Sequence, residues 1–172
     1  MTGPGFDPGR NPARLPVELG GHTYLWGQAV ALGAERVRNA SSVLHRHIDG
    51  YLLILAMRQV LLSAEAMNEA IGGDEELTAT LARFLADNPQ AKNMRDVLSH
   101  FDEYQAGTGK LQKTGKVGEL MAWLGVGEDS VTVSLASSMM VEVLQASSEA
   151  IALADETLSA QHRFLANHQD GT

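Results

Sequence analysis

Apolar residues recur at helical spacing along most of the chain. The strongest pattern covers residues 49–70, where apolar side chains occupy more than half of a helical surface, so we expect this helix to lie centrally in the core. A weaker pattern, containing Gly27 and Gly33, predicts an interrupted helix over residues 23–47. Three further helices are predicted. The first begins after Gly72-Gly73 and ends at Asn88-Pro89, the second covers residues 90–105, and the third covers residues 137–167.

The pattern changes from helical spacing to alternation before the last predicted helix. Residues 131–135 alternate apolar and polar, and the turn sequence Gly127-Glu128-Asp129 separates them from residues 120–126. This predicts a small β-hairpin. Residues 107–118, which contain four glycines and three lysines, are predicted to form a mobile loop. The predicted fold is therefore all-α, a bundle of about five helices with a small β-hairpin inserted before the C-terminal helix.

The 172 residues fit a single domain, predicted over residues 21–168. Four of the five prolines fall in residues 1–20, which predicts a flexible arm there, and residues 169–172 form a short tail. No cysteine is present, which excludes disulfides and thiolate chemistry. A secretory signal pattern and an apolar run of about 20 residues are both missing, so a cytoplasmic protein without membrane contact is predicted.

The balance of charge limits the partners. A formal net charge of −8 argues against tight, non-specific binding to nucleic acid, because phosphate affinity comes mainly from Lys and Arg. A locally steered contact with RNA remains open. Lys110, Lys113 and Lys116, in the glycine-rich segment, are the candidate RNA-binding residues.

The candidate chemistry lies in the predicted helix 90–105. Arg95-Asp96 is followed, after three residues, by His100, and on a continuous helix the arginine and histidine would flank the apolar stripe about 140° apart. Asp96 and Tyr104 lie one turn before and after His100 and are candidate supporting residues. An imidazole can act as general acid or base and a guanidinium can stabilise a phosphorane, which together suit metal-independent RNA cleavage.

The Arg-polar-x3-His pattern in an all-α domain resembles the HEPN superfamily (higher eukaryotes and prokaryotes nucleotide-binding). The resemblance covers residues 30 to 168, although only the six-residue motif is diagnostic. It implies a helical bundle that forms a homodimer through the motif helix, often an endoribonuclease of toxin-antitoxin or antiviral defence systems. By the same resemblance, Arg95 and His100 would be catalytic, Asp96 would support them, and an antitoxin or another protein would be a partner.

Other patterns compete with this interpretation. Arg163-Phe164 and His168 repeat the Arg-to-His spacing, with an apolar second residue, and Arg38 with His45 is a looser match. His45 and His47 would lie about 200° apart on a helix, so no metal is predicted, and no cofactor motif is present. The motif residues could also form ordinary surface ion pairs, Arg95 with Asp102 and Asp96 with His100. The alternative function is a non-catalytic helical protein-interaction or regulatory domain.

Overall fold

The protein is a helical bundle with a small antiparallel sheet. The computed structural model describes residues 14–90, 93, 97, 100–116, 123–127, 129–136 and 139–169. This described part contains six helices, α1 (Arg14–Asn39), α2 (Val43–Ala70), α3 (Glu75–Asp87), α4 (Phe101–Gln105), α5 (Lys110–Lys113) and α6 (Val143–Gln169). The sheet consists of β1 (Trp123–Val126), β2 (Val131–Ala136) and β3 (Met139–Glu142) and precedes α6, which confirms the predicted fold class.

α1 and α2 form a long antiparallel hairpin whose turn is held by side chains. The Ser42 hydroxyl accepts a hydrogen bond from the backbone N–H of His45 at 3.2 Å and caps α2. The guanidinium of Arg46 donates to the carbonyls of Val37 at 3.1 Å and Ala40 at 3.3 Å, which satisfies acceptors at the end of α1. The helix predicted over residues 23–47 is therefore divided at the turn.

The beginning of α1 corrects one prediction. Residues 14–20, expected to belong to a flexible arm, are helical, and residues 1–13 of that arm lie outside the described part. Pro16 lies within the first turn of α1. Backbone N–H groups in a first turn have no acceptor within the helix, so proline costs no helical hydrogen bond there. The backbone of Gly20 faces the side chain of Gln161 on α6, whose amide donates to the carbonyl of Pro16 at 2.9 Å. Contacts with α6 therefore support this stretch, which local composition does not reveal.

α6 completes the core by packing against α1, α2 and α3. Gly27 on α1 allows close approach, since a Cβ there would lie 3.0 Å from the Cβ of Ala154. The core also takes in the sheet, because Gly50 on α2 faces Val133 on β2, and the hydroxyl of Tyr51 donates to the carbonyl of Ser134 at 3.4 Å. One hydrophobic core thus spans the hairpin, α6 and the sheet.

The predicted hairpin is confirmed and extended by a third strand. β1 pairs with β2 in the register Val126 opposite Val131, and β2 pairs with β3 with Val133 opposite Val141. Residues 139–142 were expected to begin the last helix but form β3 instead. Alternate residues of β3, Met139 and Val141, are buried in the core, which is the burial pattern of a strand.

α2 is long and apolar enough to pass a length and composition test for a membrane-spanning helix. No such helix was predicted from the sequence, because the chain lacks an uninterrupted apolar run of about 20 residues. Within the described residues it is the one helix that does so, and 56% of its apolar window is buried inside the domain. This degree of burial is typical of a core helix.

Candidate functional site

His100 lies at a break in the helix predicted over residues 90–105. Its backbone, with φ −126° and ψ 37°, is not helical, and it forms the N-cap of the short helix α4. Its N–H donates to the carbonyl of Val97 at 3.3 Å, and its own carbonyl accepts from the N–H of Tyr104 at 3.2 Å. The apolar spacing continues across the break, because Val97 and Tyr104, two helical turns apart, are both buried. The prediction of a continuous helix followed this spacing and was therefore wrong.

The imidazole of His100 is solvent-accessible. Its side chain is 52% exposed, and Nδ1 lies 3.6 Å from Oε1 of Glu103. Such a pair in water contributes little to stability. Arg95 and Asp96 lie outside the described residues, so the angle predicted between Arg95 and His100, which assumed a continuous helix, loses its basis. Asp102, the expected surface partner of Arg95, is exposed on α4.

Tyr104 points into the core. Its side chain is 2% exposed, and its hydroxyl accepts a hydrogen bond from the backbone N–H of Leu111 at 3.1 Å. The ring packs directly against Gly109, where any Cβ would overlap ring atoms. Tyr104 therefore joins α4 to α5, and this buried position differs from the predicted supporting position beside an exposed His100.

The three candidate RNA-binding lysines are all exposed. Lys110 and Lys113 belong to α5, three residues apart on one helical turn, and Lys116 follows it. The segment predicted as a mobile loop thus contains a helical turn, bounded by Gly107 and Gly115 with φ of 73° and 68°. Positive φ at these two positions suits glycine.

The competing Arg-x4-His pair has a structural role. Arg163 on α6 donates to both carboxylate oxygens of Asp74, at 3.0 and 2.7 Å, and to Glu156 at 2.6 Å. Hydrogen bonds from Arg163 lower the pKa of Asp74 below its ordinary value. His168 stacks on Phe164, with ring centroids 4.0 Å apart. This cluster ties α6 to the start of α3.

Histidines elsewhere provide no metal site in the described part of the chain. The ring of His47 stacks on Tyr51, with centroids 4.9 Å apart. No group of three or more His, Asp or Glu side chains that could hold a metal ion occurs among the described residues.

An apolar surface lies on α1 and α2, on the side of the hairpin away from α6. We call it the α1–α2 face. It consists of one row on each helix, Leu25, Ala29, Leu32 and Arg36 on α1, and Ile48, Leu52, Leu55, Gln59, Leu62 and Ala66 on α2. A groove of about 320 Å³ runs between the rows, lined mainly by apolar side chains. Leu25, Leu32 and Leu52 are 66%, 59% and 51% exposed.

Helical geometry places this face opposite α6. On α1, Gly20 and Gly27 face α6, and Ala29 lies about 160–180° around the helix from them. The groove is bordered at one end by an ion pair between Arg36 and Asp49 at 2.7 Å. The sequence signal related to the face was the breadth of the apolar surface of α2, which covers more than half of the helix.

No family model matches this chain, and no curated protein or solved structure matches it either. The fold and the site define the class as an α-helical bundle with a three-stranded antiparallel sheet and an exposed apolar helical hairpin.

Proposed function

We propose that this domain is a protein-interaction module and that the α1–α2 face is its binding surface. The observation that carries the proposal is the pair of mainly apolar rows, exposed or half-buried, that lie side by side on two long helices. Isolated exposed leucines are normal on a protein surface, whereas a contiguous apolar strip marks a site of association. Burial of such side chains stabilises a complex by about 25 cal/mol per Å² of apolar surface removed from water.

The groove suits a helical partner. Its walls are mainly apolar, with Ala29 and Leu32 one helical turn apart on α1 and Leu52 and Leu55 one turn apart on α2, and a partner helix with apolar residues at the same spacing can pack its ridges between them. Arg36 and Asp49 at one end supply a polar border, as in interfaces whose apolar centre is surrounded by polar residues.

Site-specific photo-crosslinking in the native cell tests the proposal. A photoreactive residue replaces Leu52, which is 51% exposed on the face, and in a matched control it replaces Val126, which is 50% exposed on β1. We expect a discrete protein adduct, with this chain or with another, from position 52 and not from position 126. Equal adducts from both positions, or none from position 52, would contradict the proposal.

A second candidate function is a metal-independent endoribonuclease, as the resemblance of Arg95-Asp96-x3-His100 to HEPN domains implies. Two observations support it: His100 is accessible, and residues 100–116 carry the exposed Lys110, Lys113 and Lys116 in the same segment. His100 would act as acid or base and Arg95 would stabilise the phosphorane. The defence-system setting, an antitoxin partner and a cytoplasmic location stay predictions.

Cleavage of a mixed RNA substrate in EDTA tests this candidate. Wild type is compared with Arg95→Ala, His100→Ala and a control, His162→Ala, which changes an exposed histidine on α6. We expect the first two variants to lose activity by at least about 100-fold and the control to keep it. Absence of cleavage by the wild type, or equal cleavage by all four proteins, would reject the ribonuclease.

A further inference from the structure

We infer that the occupant of the α1–α2 face is a second copy of this chain, packed antiparallel about a two-fold axis so that two hairpins form a four-helix bundle. This inference rests on the proposed interaction function and names its partner. Three features of the face carry it: the spacing of its rows, their common centre, and the distribution of charge at its ends.

The rows have the spacing of helices that pack against other helices. Residues 48, 52, 55, 59, 62 and 66 on α2 are separated by four, three, four, three and four positions, and residues 25, 29, 32 and 36 on α1 by four, three and four. This alternation of four and three is the heptad pattern of helical bundles and coiled coils. Leu53, Met57 and Leu61 of α2 lie in the core instead, so the two sides of α2 serve different packing partners.

The α2 row is symmetric about its midpoint, level with Met57. Reversal of the row places Ile48 opposite Ala66, Leu52 opposite Leu62, and Leu55 opposite Gln59, so that large meets small at the ends, leucine meets leucine one step inward, and leucine meets an amide at the centre. A two-fold interface requires this reciprocity, because residue i of one copy meets residue j of the other and the reverse. The row is therefore complementary to itself.

The two leucines of the α1 row have the same centre. The pairs Arg36–Asp49 and His22–Ser63 fix which levels of the two helices lie side by side, and they place Met57 level with Gln28. The midpoint of Leu25 and Leu32 falls between Gln28 and Ala29. A single axis can therefore relate the α2 row and these two leucines to their copies, with Arg36 beyond the paired leucines at one end.

The dimensions agree with a reversible dimer. At 1.5 Å per residue, the α2 row is about 27 Å long, and two helices packed 8–10 Å apart make a strip about 20 Å wide. Because the α1 row is only about 17 Å long, each copy would bury about 440 Å², giving about 900 Å² in total, within the range of weak, transient interfaces.

Charge favours the antiparallel arrangement. Arg36, which pairs with Asp49, lies at the end of the face next to the α1–α2 turn, and Glu69 lies exposed near the other end, together with Glu18, which pairs with Arg14. Antiparallel packing brings Arg36 of one copy towards the acidic end of the other. Parallel packing would place the two arginines together, which costs free energy.

A mixing experiment tests the register. Leu52→Glu and Leu62→Lys are made separately, with Leu85→Glu, on α3, as a control that places the same charge outside the face, and circular dichroism confirms that all three fold. Sedimentation velocity should show a concentration-dependent monomer–dimer equilibrium for wild type and control. Each of the two face variants should associate at least about tenfold more weakly.

An equimolar mixture of the two face variants should recover dimer, observed as a heterodimer by native mass spectrometry. In the antiparallel register, that heterodimer contains one ion pair, between the introduced glutamate of one copy and the introduced lysine of the other. It also keeps one intact contact between Leu62 and Leu52. Failure of the mixture to associate better than the separate variants would overturn the register.

A wild type that stays monomeric up to about 100 µM would overturn the second copy as partner. If position 52 still crosslinks to a different protein, the interaction function stands, and if it crosslinks to nothing, both proposals fail. Binding of the monomer to phospholipid vesicles, abolished by Leu52→Glu, would instead assign the face to a lipid surface.

Discussion

Asp74 combines two structural roles in one carboxylate. It caps α3 by accepting a hydrogen bond from the N–H of Leu77 at 3.0 Å, and it receives two hydrogen bonds from Arg163 on α6. Hydrogen bonds from Arg163 are the largest cause of its lowered pKa, and the bond from Leu77 acts in the same direction. A single carboxylate thus joins a helix start to a distant helix.

Replacement of Asp74 by Asn tests this linkage through pH. Asn keeps the cap but loses the charge, so we expect the free energy of unfolding at pH 7 to fall by about 1–2 kcal/mol, at the low end for a charged pair because Arg163 is partly exposed. The native pKa of Asp74 lies below its unfolded value of about 3.9, so its contribution is complete above that pH and is lost as pH falls through the native pKa.

Urea unfolding at several pH values measures this effect. The difference between wild type and Asp74→Asn should be constant above about pH 5 and should shrink below about pH 4. Glu76→Gln serves as a control, because Glu76 contacts the same arginine but is 71% exposed, and its substitution should cost less than about 0.5 kcal/mol. A difference for Asp74→Asn that does not vary with pH would contradict the role of the ion pair.

At the level of elements, the sequence predicted the helices and strands that are determined by a local pattern of residues. The periodicity of α2, the Gly72-Gly73 end with Asp74 after it, and the alternation of β2 are all local signals, and the structure confirms the elements they predicted. The start of α1 depends on Gln161, far away in the sequence, and therefore could not be predicted from composition. β3 was not predicted because its four residues are followed directly by α6. The helical spacing of the long helix then dominates the apolar pattern of the whole segment.

The candidate site was predictable only in part. The sequence indicated His100 as a candidate catalytic residue, but the break in the helix at His100 depends on a single non-helical backbone position that leaves the apolar spacing unchanged. Tyr104 was assigned to the site because it follows His100 by one turn, whereas its burial depends on the close approach of Gly109 after the chain turns back. The α1–α2 face escaped prediction because apolar residues are first assigned to the core.

At the level of the whole molecule, the proposed dimer links stability to concentration. Because mass action favours a native dimer, the proposal predicts that the melting temperature of the wild type rises as protein concentration increases. Because Leu52→Glu weakens the proposed interface, its melting temperature should change less over the same range.

Differential scanning fluorimetry over about a 100-fold range of concentration measures this dependence. Leu85→Glu should behave like the wild type, since its charge lies outside the α1–α2 face. Equal concentration dependence in wild type and Leu52→Glu would show that association uses another surface.

The packing of α6 against α1 also has a consequence for biosynthesis. The hairpin of α1 and α2 leaves the ribosome well before α6, since the last residue of α2 is Ala70 and α6 begins at Val143. At a translation rate of about 5–20 residues per second, the surface that will contact α6 stays uncovered for several seconds. During that interval the nascent hairpin exposes apolar residues on both sides. Neighbouring chains on one polysome could then meet through the α1–α2 face before either has completed its own core.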